Sequence, residues 1–263
     1  MAAPRGIVFD MEGVLHVGYE PLPGARETIA ALDAAGLPHV ILTNTTSKTR
    51  ADIAVRLDAM GMPYPAERIV TAGSATVAFL QRRHRGRRVL LLAEPGAFAE
   101  VAACGGLNLV DDGREAEVVC LGGPDESITY AHLQEAFRAL MDGAAFVAMQ
   151  RNRWWPTPAG PGLDAGVFVK GLEYASGRRA TVIGKPAAGA YRAALAVLGV
   201  KAGDAMMVGD DPVADLATAH RIGMRTCLVR SGKGSTFASP WPTADLDLPG
   251  VGELPSALGF SSC

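Results

Sequence analysis

Short runs of β-branched and aliphatic residues alternate with helical patterns along the whole chain. The runs that we interpret as strands are residues 7–9, 40–42, 89–92, 118–121, 146–149, 182–183, 206–208 and 226–229. Apolar strands separated by helices are typical of a parallel sheet with helices on its faces. The alternation therefore predicts an α/β fold built on a mostly parallel sheet.

Helix ends can be assigned from glycines and capping residues. Apolar residues recur at helical spacing before Gly36 and before Gly61, and glycine is a common helix stop. Ser127 is a candidate N-cap for a further helix that ends at Gly143.

Two segments break the alternation. Residues 82–88 contain five arginines and a histidine, which fits either a solvated helix end followed by a turn or a site for a phosphate-rich partner. Residues 151–166 hold Trp154 and Trp155 together with three prolines and three glycines. We interpret this second segment as a long shaped loop, which either serves function or packs at a subunit contact.

Charge and composition indicate which kinds of molecule the protein binds. The 263 residues include 25 basic and 27 acidic side chains, so no strong field recruits nucleic acid or an anionic membrane. The four cysteines are far apart and form no CxxC pair, which gives no zinc-type spacing. We find neither an apolar signal stretch at the N-terminus nor a run long enough to span a bilayer. We therefore expect a cytoplasmic protein that acts on a small molecule.

Polar residues stand directly after predicted strands, at the end where open α/β sheets bind their ligands. Asp10 and Glu12, two carboxylates spaced by one residue, follow the first strand. Thr43 and Asn44 follow the second strand, and their side chains can donate hydrogen bonds to a phosphoryl oxygen. Each pair alone also fits an ordinary acidic turn or a helix cap.

Two further pieces carry charge. Lys185 follows the sixth predicted strand, where its ammonium would neutralise a phosphate and a neighbouring carboxylate. Asp210, Asp211 and Asp215 follow the seventh. Clustered carboxylates repel one another unless a cation holds them, and oxygen ligands suit Mg²⁺. The sequence therefore predicts Mg²⁺ as the cofactor.

In this order, the four pieces resemble the four motifs of the haloacid dehalogenase (HAD) superfamily of phosphatases, over nearly the whole chain. Residues 42–46 and 171–177 are similar to the class IIA, NagD-like branch, and within it to the group around phospholysine phosphohistidine inorganic pyrophosphate phosphatase. The resemblance implies a Rossmann-like catalytic core at residues 1–73 and 178–263, with an inserted α/β cap domain at 74–177. It also suggests a homodimer through the cap.

The same resemblance implies roles for the acidic residues. Asp10 becomes the nucleophile that forms an aspartyl-phosphate. The Mg²⁺ ligands become Asp10, the backbone carbonyl of Glu12, and Asp210. Asp211 and Asp215 become supporting residues.

The resemblance also implies how phosphate is held. Thr43, the backbone amide of Asn44, and Lys185 would bind the phosphoryl oxygens, because phosphoryl transfer requires mainly positioning and positive charge. Lys185 thereby also serves catalysis. The loop at residues 153–166 would close over the leaving group and set specificity.

Glu12 departs from the family pattern, which has Asp at this general acid and base position. The extra methylene displaces the carboxylate by roughly 1.3–1.5 Å unless the side chain folds back, and a 1 Å misplacement can cost about a hundredfold in rate. We therefore consider two hypotheses. One is a Mg²⁺-dependent phosphatase for a small phosphorylated metabolite, with pyrophosphate and N–P bonds included. The other is a phosphometabolite-binding or regulatory protein with little turnover.

Overall fold

The structure of the protein is a computed structural model that describes residues 3–123, 125–157, 160–236 and 244–260. The chain divides into two units, which we call the core unit and the cap unit. The core unit comprises Met1–Thr43, Arg50–Val70 and Lys185–Cys263, and the cap unit comprises Asn44–Thr49 and Thr71–Gly184. The domain borders at residues 73/74 and 177/178 stay a prediction.

Strands and helices are numbered along the chain. The strands are β1 (Gly6–Phe9), β2 (His16–Val17), β3 (Glu20–Pro21), β4 (His39–Thr43), β5 (Ile69–Thr71), β6 (Arg88–Leu92), β7 (Asn108–Val110), β8 (Val118–Leu121), β9 (Ala145–Ala148), β10 (Trp154–Thr157), β11 (Gly160–Leu163), β12 (Thr181–Val182), β13 (Ala205–Gly209), β14 (Arg225–Val229) and β15 (Leu246–Leu248). The helices are α1 (Ala25–Ala34), α2 (Arg50–Ala59), α3 (Ala72–Arg83), α4 (Pro95–Cys104), α5 (Tyr130–Met141), α6 (Ala165–Ser176), α7 (Ala188–Leu198), α8 (Ala217–Arg221) and α9 (Leu254–Ala257). In the described part of the chain, none of the helices has the length and hydropathy of a membrane span.

The core unit is built on a six-stranded sheet in the order β15-β14-β13-β1-β4-β5. β1 lies in the middle, parallel to β13 on one side and to β4 on the other. Every residue of β1, β4 and β13 is buried, which is why these strands read as continuous apolar runs. The predicted parallel α/β core is confirmed.

The cap unit has a sheet and an apolar core of its own. Its five strands lie in the order β12-β9-β8-β6-β7, and all four pairings are parallel. Side chains from this sheet pack with α5 and α6, as in the cluster that contains Leu121, Leu140, Phe146 and Val169. An α/β cap is therefore inserted into the α/β core, as predicted.

The segment predicted as a shaped loop at residues 151–166 contains a β-hairpin instead. β10 and β11 are antiparallel, with Trp154 opposite Leu163. These two side chains are 56% and 67% exposed. Pro156 and Pro161 are opposite each other in this ribbon, where a strand pairs on one side only and a missing N–H is tolerated. The side chain of Trp155 lies outside the described part of the structure, and the role of the hairpin in specificity stays a prediction.

Helix α5 begins after Thr129, so the N-cap prediction at Ser127 was wrong. The Thr129 hydroxyl accepts a hydrogen bond from the His132 amide, and the His132 ring accepts one from the Thr129 amide. This reciprocal capping satisfies two amides that the first turn of a helix leaves unpaired. The Ser127 hydroxyl donates to Asp125 Oδ1 in the preceding turn.

The basic stretch at residues 82–88 joins α3 to β6. The helix ends at Arg83, the chain turns at Gly86 with φ near 73°, and the strand begins at Arg88. All five arginines are exposed. The stretch therefore has the structure of a solvated helix end and turn.

The segment at residues 44–49 packs within the cap unit although it directly follows β4. Thr46 Oγ1 donates a hydrogen bond of 2.5 Å to Glu94 Oε1. A Cβ on Gly96 would lie 2.2 Å from the Ser47 carbonyl oxygen, so no side chain fits between these backbones. A polar contact and a close backbone approach thus hold this segment.

A buried histidine at the start of β4 links three elements of the core unit. His39 Nδ1 lies 2.6 Å from the Tyr64 hydroxyl, and Nε2 lies 3.1 Å from Asp33 Oδ1. The guanidinium of Arg68 lies 3.6 Å from the same Asp33 oxygen. Burial lowers the pKa of His39 below its ordinary 6.5, and the charge of Asp33 offsets this only in part.

The depressed pKa of His39 predicts a loss of stability at acidic pH. Above pH 6.5 the ring is neutral in both folded and unfolded chains. As the pH falls from there through the folded pKa, the unfolded chain takes up the proton first and the free energy of unfolding decreases. The loss is about 1.4 kcal/mol for each unit by which the two pKa values differ. Denaturant unfolding at a series of pH values should show a shallower acid slope in His39→Gln.

Other groups also titrate in this range, so the comparison needs a matched variant. His220→Gln, which replaces an exposed histidine of α8, is that variant, and His39→Gln should have the shallower acid slope of the two. Identical slopes in wild type and His39→Gln would contradict the prediction.

Candidate active site

Asp10 continues β1 at the carboxyl end of the core sheet. Its amide donates to the Val208 carbonyl, so the ladder to β13 extends one residue beyond the strand. The carboxylate is 14% exposed, and Oδ1 accepts hydrogen bonds from the Met11 amide at 2.7 Å and from Lys185 Nζ at 2.6 Å. The carboxyl end of the core sheet thus presents a carboxylate that is already paired with a cation.

Lys185 joins two carboxylates. Its Nζ lies 2.6 Å from Asp10 Oδ1 and 2.7 Å from Asp215 Oδ1, and its side chain is buried. Burial lowers the pKa of Lys185, but the charges of Asp10 and Asp215 outweigh this and raise it overall, so the ammonium keeps its proton. The preceding strand, β12, pairs with β9 of the cap sheet, so this motif does not continue a strand of the core sheet as the other three do.

Asp10, Asp210 and Asp215 form an acidic cluster. One carboxylate oxygen from each lies within 4.8 Å of the others. Burial raises the pKa of Asp210 to about 6 and that of Asp215 to about 7, and the neighbouring carboxylates add to both shifts. These oxygens, without nitrogen or sulfur, fit a hard divalent cation such as Mg²⁺.

The predicted metal residues Asp10 and Asp210 therefore lie together. Asp215, predicted as a supporting residue, belongs to the same cluster.

Two glycines leave room for the Asp210 carboxylate. A Cβ on Gly13 would lie 2.2 Å from Asp210 Oδ2, and one on Gly232 would lie 2.4 Å from the same atom. Gly13 also has φ near 84°, a conformation that favours glycine. The amide of Lys233 donates to Asp210 Oδ2 at 2.7 Å. Asp210 is thus held by close backbone on two sides.

Asp211, predicted as a supporting residue, bonds to the backbone of the turn that follows it. Its carboxylate accepts hydrogen bonds from the amides of Val213 and Ala214, at 3.0 and 2.9 Å, and so caps the π-helical turn Pro212–Leu216. Its Oδ2 lies 3.5 Å from Lys233 Nζ.

Two of the three predicted phosphate-binding residues, Thr43 and Asn44, follow one another at the end of β4. Phe9 pairs with Ile41, so the carboxyl ends of β1 and β4 lie side by side and buried Thr43 stands next to the end of β1. Asn44 is the first residue of the cap-unit segment. A Cβ on Gly184 would lie 2.6 Å from Asn44 Oδ1, so this glycine is needed for the close approach.

The Glu12 carboxylate is held by residues of the following hairpin, β2–β3. Oε1 accepts a hydrogen bond from the Gly18 amide at 3.0 Å, and Oε2 lies 3.1 Å from His16 Nδ1. Burial raises the pKa of Glu12, but the contacts with His16 and Gly18 outweigh it and lower the pKa overall. The side chain is 59% exposed and remains ionised near neutral pH.

Sequence reasoning missed His16 and Lys233. His16 stacks on Tyr19, and the guanidinium of Arg56 lies 4.3 Å from the centre of the Tyr19 ring. Neither His16 nor Lys233 belongs to a recognisable motif. The available signal was the spacing of Glu12 and His16 by four residues, which is uninformative outside a helix.

The chain has an α/β core with an inserted α/β cap, and an acid cluster with a buried lysine lies at the carboxyl end of the core sheet. These features together define a hydrolase of the phosphoryl-transfer type. The haloacid dehalogenase-like hydrolase family matches residues 7–106, and an HAD-hydrolase-like family matches residues 182–245.

The chain is similar over most of its length to proteins named as phosphatases and to NagD. It is 34% identical to phospholysine phosphohistidine inorganic pyrophosphate phosphatase from Bos taurus, over 89% of this chain and 85% of that protein. It is 30% identical to the sugar-phosphatase AraL from Bacillus subtilis, over 96% and 92%. Its structure superposes on NagD from E. coli K-12 with a TM-score of 0.84 at 27% identity, over 96% and 98%.

The chain belongs to the haloacid dehalogenase superfamily, in its class IIA, NagD-like branch. It is a phosphatase, a phosphoric monoester hydrolase by class.

Proposed function

We propose that the protein is a Mg²⁺-dependent phosphatase that hydrolyses a small phosphorylated metabolite through an aspartyl-phosphate on Asp10. The observation that carries this proposal is the contact of Lys185 with both Asp10 and Asp215, beside the cluster completed by Asp210. A nucleophilic carboxylate must approach an anionic phosphate, and this arrangement supplies the charge that makes the approach favourable.

The residues fit the two chemical steps. An Asp10 oxygen attacks phosphorus and the bond to the leaving oxygen breaks, while Glu12, which must first take up a proton from water when the anionic substrate is bound, passes that proton to the leaving oxygen. Glu12 as the base then takes a proton from the water that attacks the aspartyl-phosphate, and inorganic phosphate is released with Asp10 restored. Lys185, Thr43 and the Asn44 amide hold the phosphoryl oxygens in both steps.

Asp10, Asp210 and the backbone carbonyl of Glu12 would hold Mg²⁺, and the cluster brings Asp215 next to them. When bound, the cation neutralises carboxylate and phosphate charge so that the two anions can meet. Burial and the neighbouring carboxylates raise the pKa values of Asp210 and Asp215, which supports a role for added positive charge in this cluster.

The substrate class is tested by a panel of phosphorylated compounds. We propose sugar phosphates, nucleoside monophosphates, pyridoxal phosphate, pyrophosphate and a phosphoramidate as candidates, since the relatives carry names from both the sugar-phosphatase and the N–P or pyrophosphate phosphatase groups. Release of inorganic phosphate in the presence of Mg²⁺ is expected for a subset of the panel. No turnover of any compound would contradict the proposal and would favour a binding or regulatory protein.

Chelation should abolish turnover. We expect EDTA to reduce phosphate release to background and excess Mg²⁺ to restore it, because Asp10 and Asp210 repel phosphate without a cation. EDTA already saturated with Mg²⁺ is the matched control and should have no effect. Full activity in free chelator would contradict metal dependence, and preferential recovery with Zn²⁺ would contradict the oxygen-ligand assignment.

A further inference from the structure

A π-helical turn at Pro212–Leu216 carries Asp215 after β13. The Asp215 amide donates to the Asp211 carbonyl at 2.8 Å, and the Asp211 amide donates to Asp215 Oδ2 at 3.1 Å. Such turns are uncommon and occur frequently at functional sites. The conformation of this turn decides where the Asp215 carboxylate lies.

Tyr191 on α7 donates a hydrogen bond to the backbone of this turn. Its side chain is fully buried, and its hydroxyl lies 2.7 Å from the Ala214 carbonyl oxygen and 2.8 Å from the Asp215 carbonyl oxygen. Burial raises the pKa of Tyr191, so the hydroxyl keeps its proton and remains a donor. Phenylalanine would fill nearly the same space but would leave the Ala214 and Asp215 carbonyls without this donor, and Asp215 is buried.

We propose that Tyr191 is a positioning residue, whose hydroxyl fixes the π-helical turn so that Asp215 stays on Lys185 and within the acidic cluster. The path is continuous: Tyr191 contacts the Asp215 backbone, the Asp215 carboxylate contacts Lys185 at 2.7 Å, and Lys185 contacts Asp10 at 2.6 Å. The inference rests on the proposed Mg²⁺ dependence and adds a residue that touches neither substrate nor cation. The sequence shows Tyr191 only as one more apolar position of a helix.

The test is Tyr191→Phe in the full-length chain. We expect Mg²⁺ binding to the metal-free protein, measured by isothermal titration calorimetry, to weaken about 10- to 100-fold, the range typical when a residue that supports a metal site from outside its ligands is lost. We also expect kcat at saturating Mg²⁺ to fall more than KM rises. Hydrogen exchange at the amides within residues 211–216, all except Pro212, should become faster even without metal.

Tyr64→Phe is the matched control. Tyr64 is also a buried tyrosine of the core unit, and its hydroxyl bonds the ring of His39 rather than the turn. It should lose a comparable amount of thermal stability while keeping the Mg²⁺ affinity, the kcat and the exchange of residues 211–216.

The outcomes separate this inference from the proposed function. Wild-type Mg²⁺ affinity and exchange in Tyr191→Phe, or equal losses in Tyr64→Phe, would overturn the positioning role. A Tyr191→Phe chain that does not fold would also overturn it, because the hydroxyl would then serve the whole fold. If the wild-type chain binds no Mg²⁺, the proposed function fails, and hydrogen exchange at residues 211–216 still decides whether Tyr191 positions the turn.

Discussion

Asp10→Asn should lower turnover by at least about a thousandfold, roughly 4 kcal/mol of activation free energy, and leave the chain folded. The amide has the same shape and can still accept the hydrogen bond from the Met11 amide, but it is a poor nucleophile. The buried Lys185 ammonium keeps Asp215 as a partner, so the substitution does not strand a charge. Phosphate release and thermal unfolding should be measured on the same preparation.

The matched variant for Asp10→Asn is Asp58→Asn. Asp58 is exposed on α2, and its replacement should change neither turnover nor stability appreciably. If Asp10→Asn kept more than about a tenth of wild-type activity, a difference of only about 1.4 kcal/mol, nucleophilic catalysis at Asp10 would be excluded.

Glu12→Gln should lower kcat/KM by about 10²–10⁴ on an alkyl phosphate, the usual worth of a positioned acid or base. The loss should be much smaller on an activated aryl phosphate, because that leaving group departs without a proton. We choose kcat/KM since it reports the steps up to formation of the aspartyl-phosphate, where the leaving oxygen needs its proton. The two substrates should therefore separate proton transfer from general damage to the site.

Glu12→Asp tests whether the length of the side chain, rather than the presence of a carboxyl group, limits turnover. It keeps the carboxyl group but shortens the side chain that contacts Gly18 and His16. Faster turnover would show that glutamate reaches too far, and equal or slower turnover would show that the site has adapted to it. If wild type and Glu12→Gln had equal rates on both substrates, Glu12 would not transfer a proton in the reaction.

The sequence predicted the parts of the fold that depend on local patterns. β1 and β13 are apolar runs that end in charged residues, and the glycines after α1, α2 and α5 have positive φ as helix stops. The three-residue strands β5, β7 and β15 were missed, and each lies at the edge of its sheet. The hairpin β10–β11 was missed because its prolines suggested irregular structure.

Some contacts of the candidate site could also be predicted from local sequence patterns, and others could not. Asp10 and Asp210 were found because the ends of β1 and β13 converge in one parallel sheet. Lys185 follows a strand of the cap sheet, so that rule does not explain its contact with Asp10. The contacts of Glu12 with His16, and of Tyr191 with the turn that carries Asp215, arise from a hairpin and from helix packing. Neither arrangement leaves a periodic or compositional signal in the sequence.

The packing of residues 44–49 has a consequence for building chimeras. The chain passes between the two units four times, after Thr43, Thr49, Val70 and Gly184. A cap exchanged as one continuous cassette would leave Thr46 without Glu94, and would place a foreign backbone where Ser47 meets Gly96. An exchange that keeps this packing must carry residues 44–49 as well, and with them Asn44, to which we assign phosphate binding. If the cap unit selects the substrate, as the sequence predicts, then exchanging it also exchanges a residue that we propose to bind the phosphate.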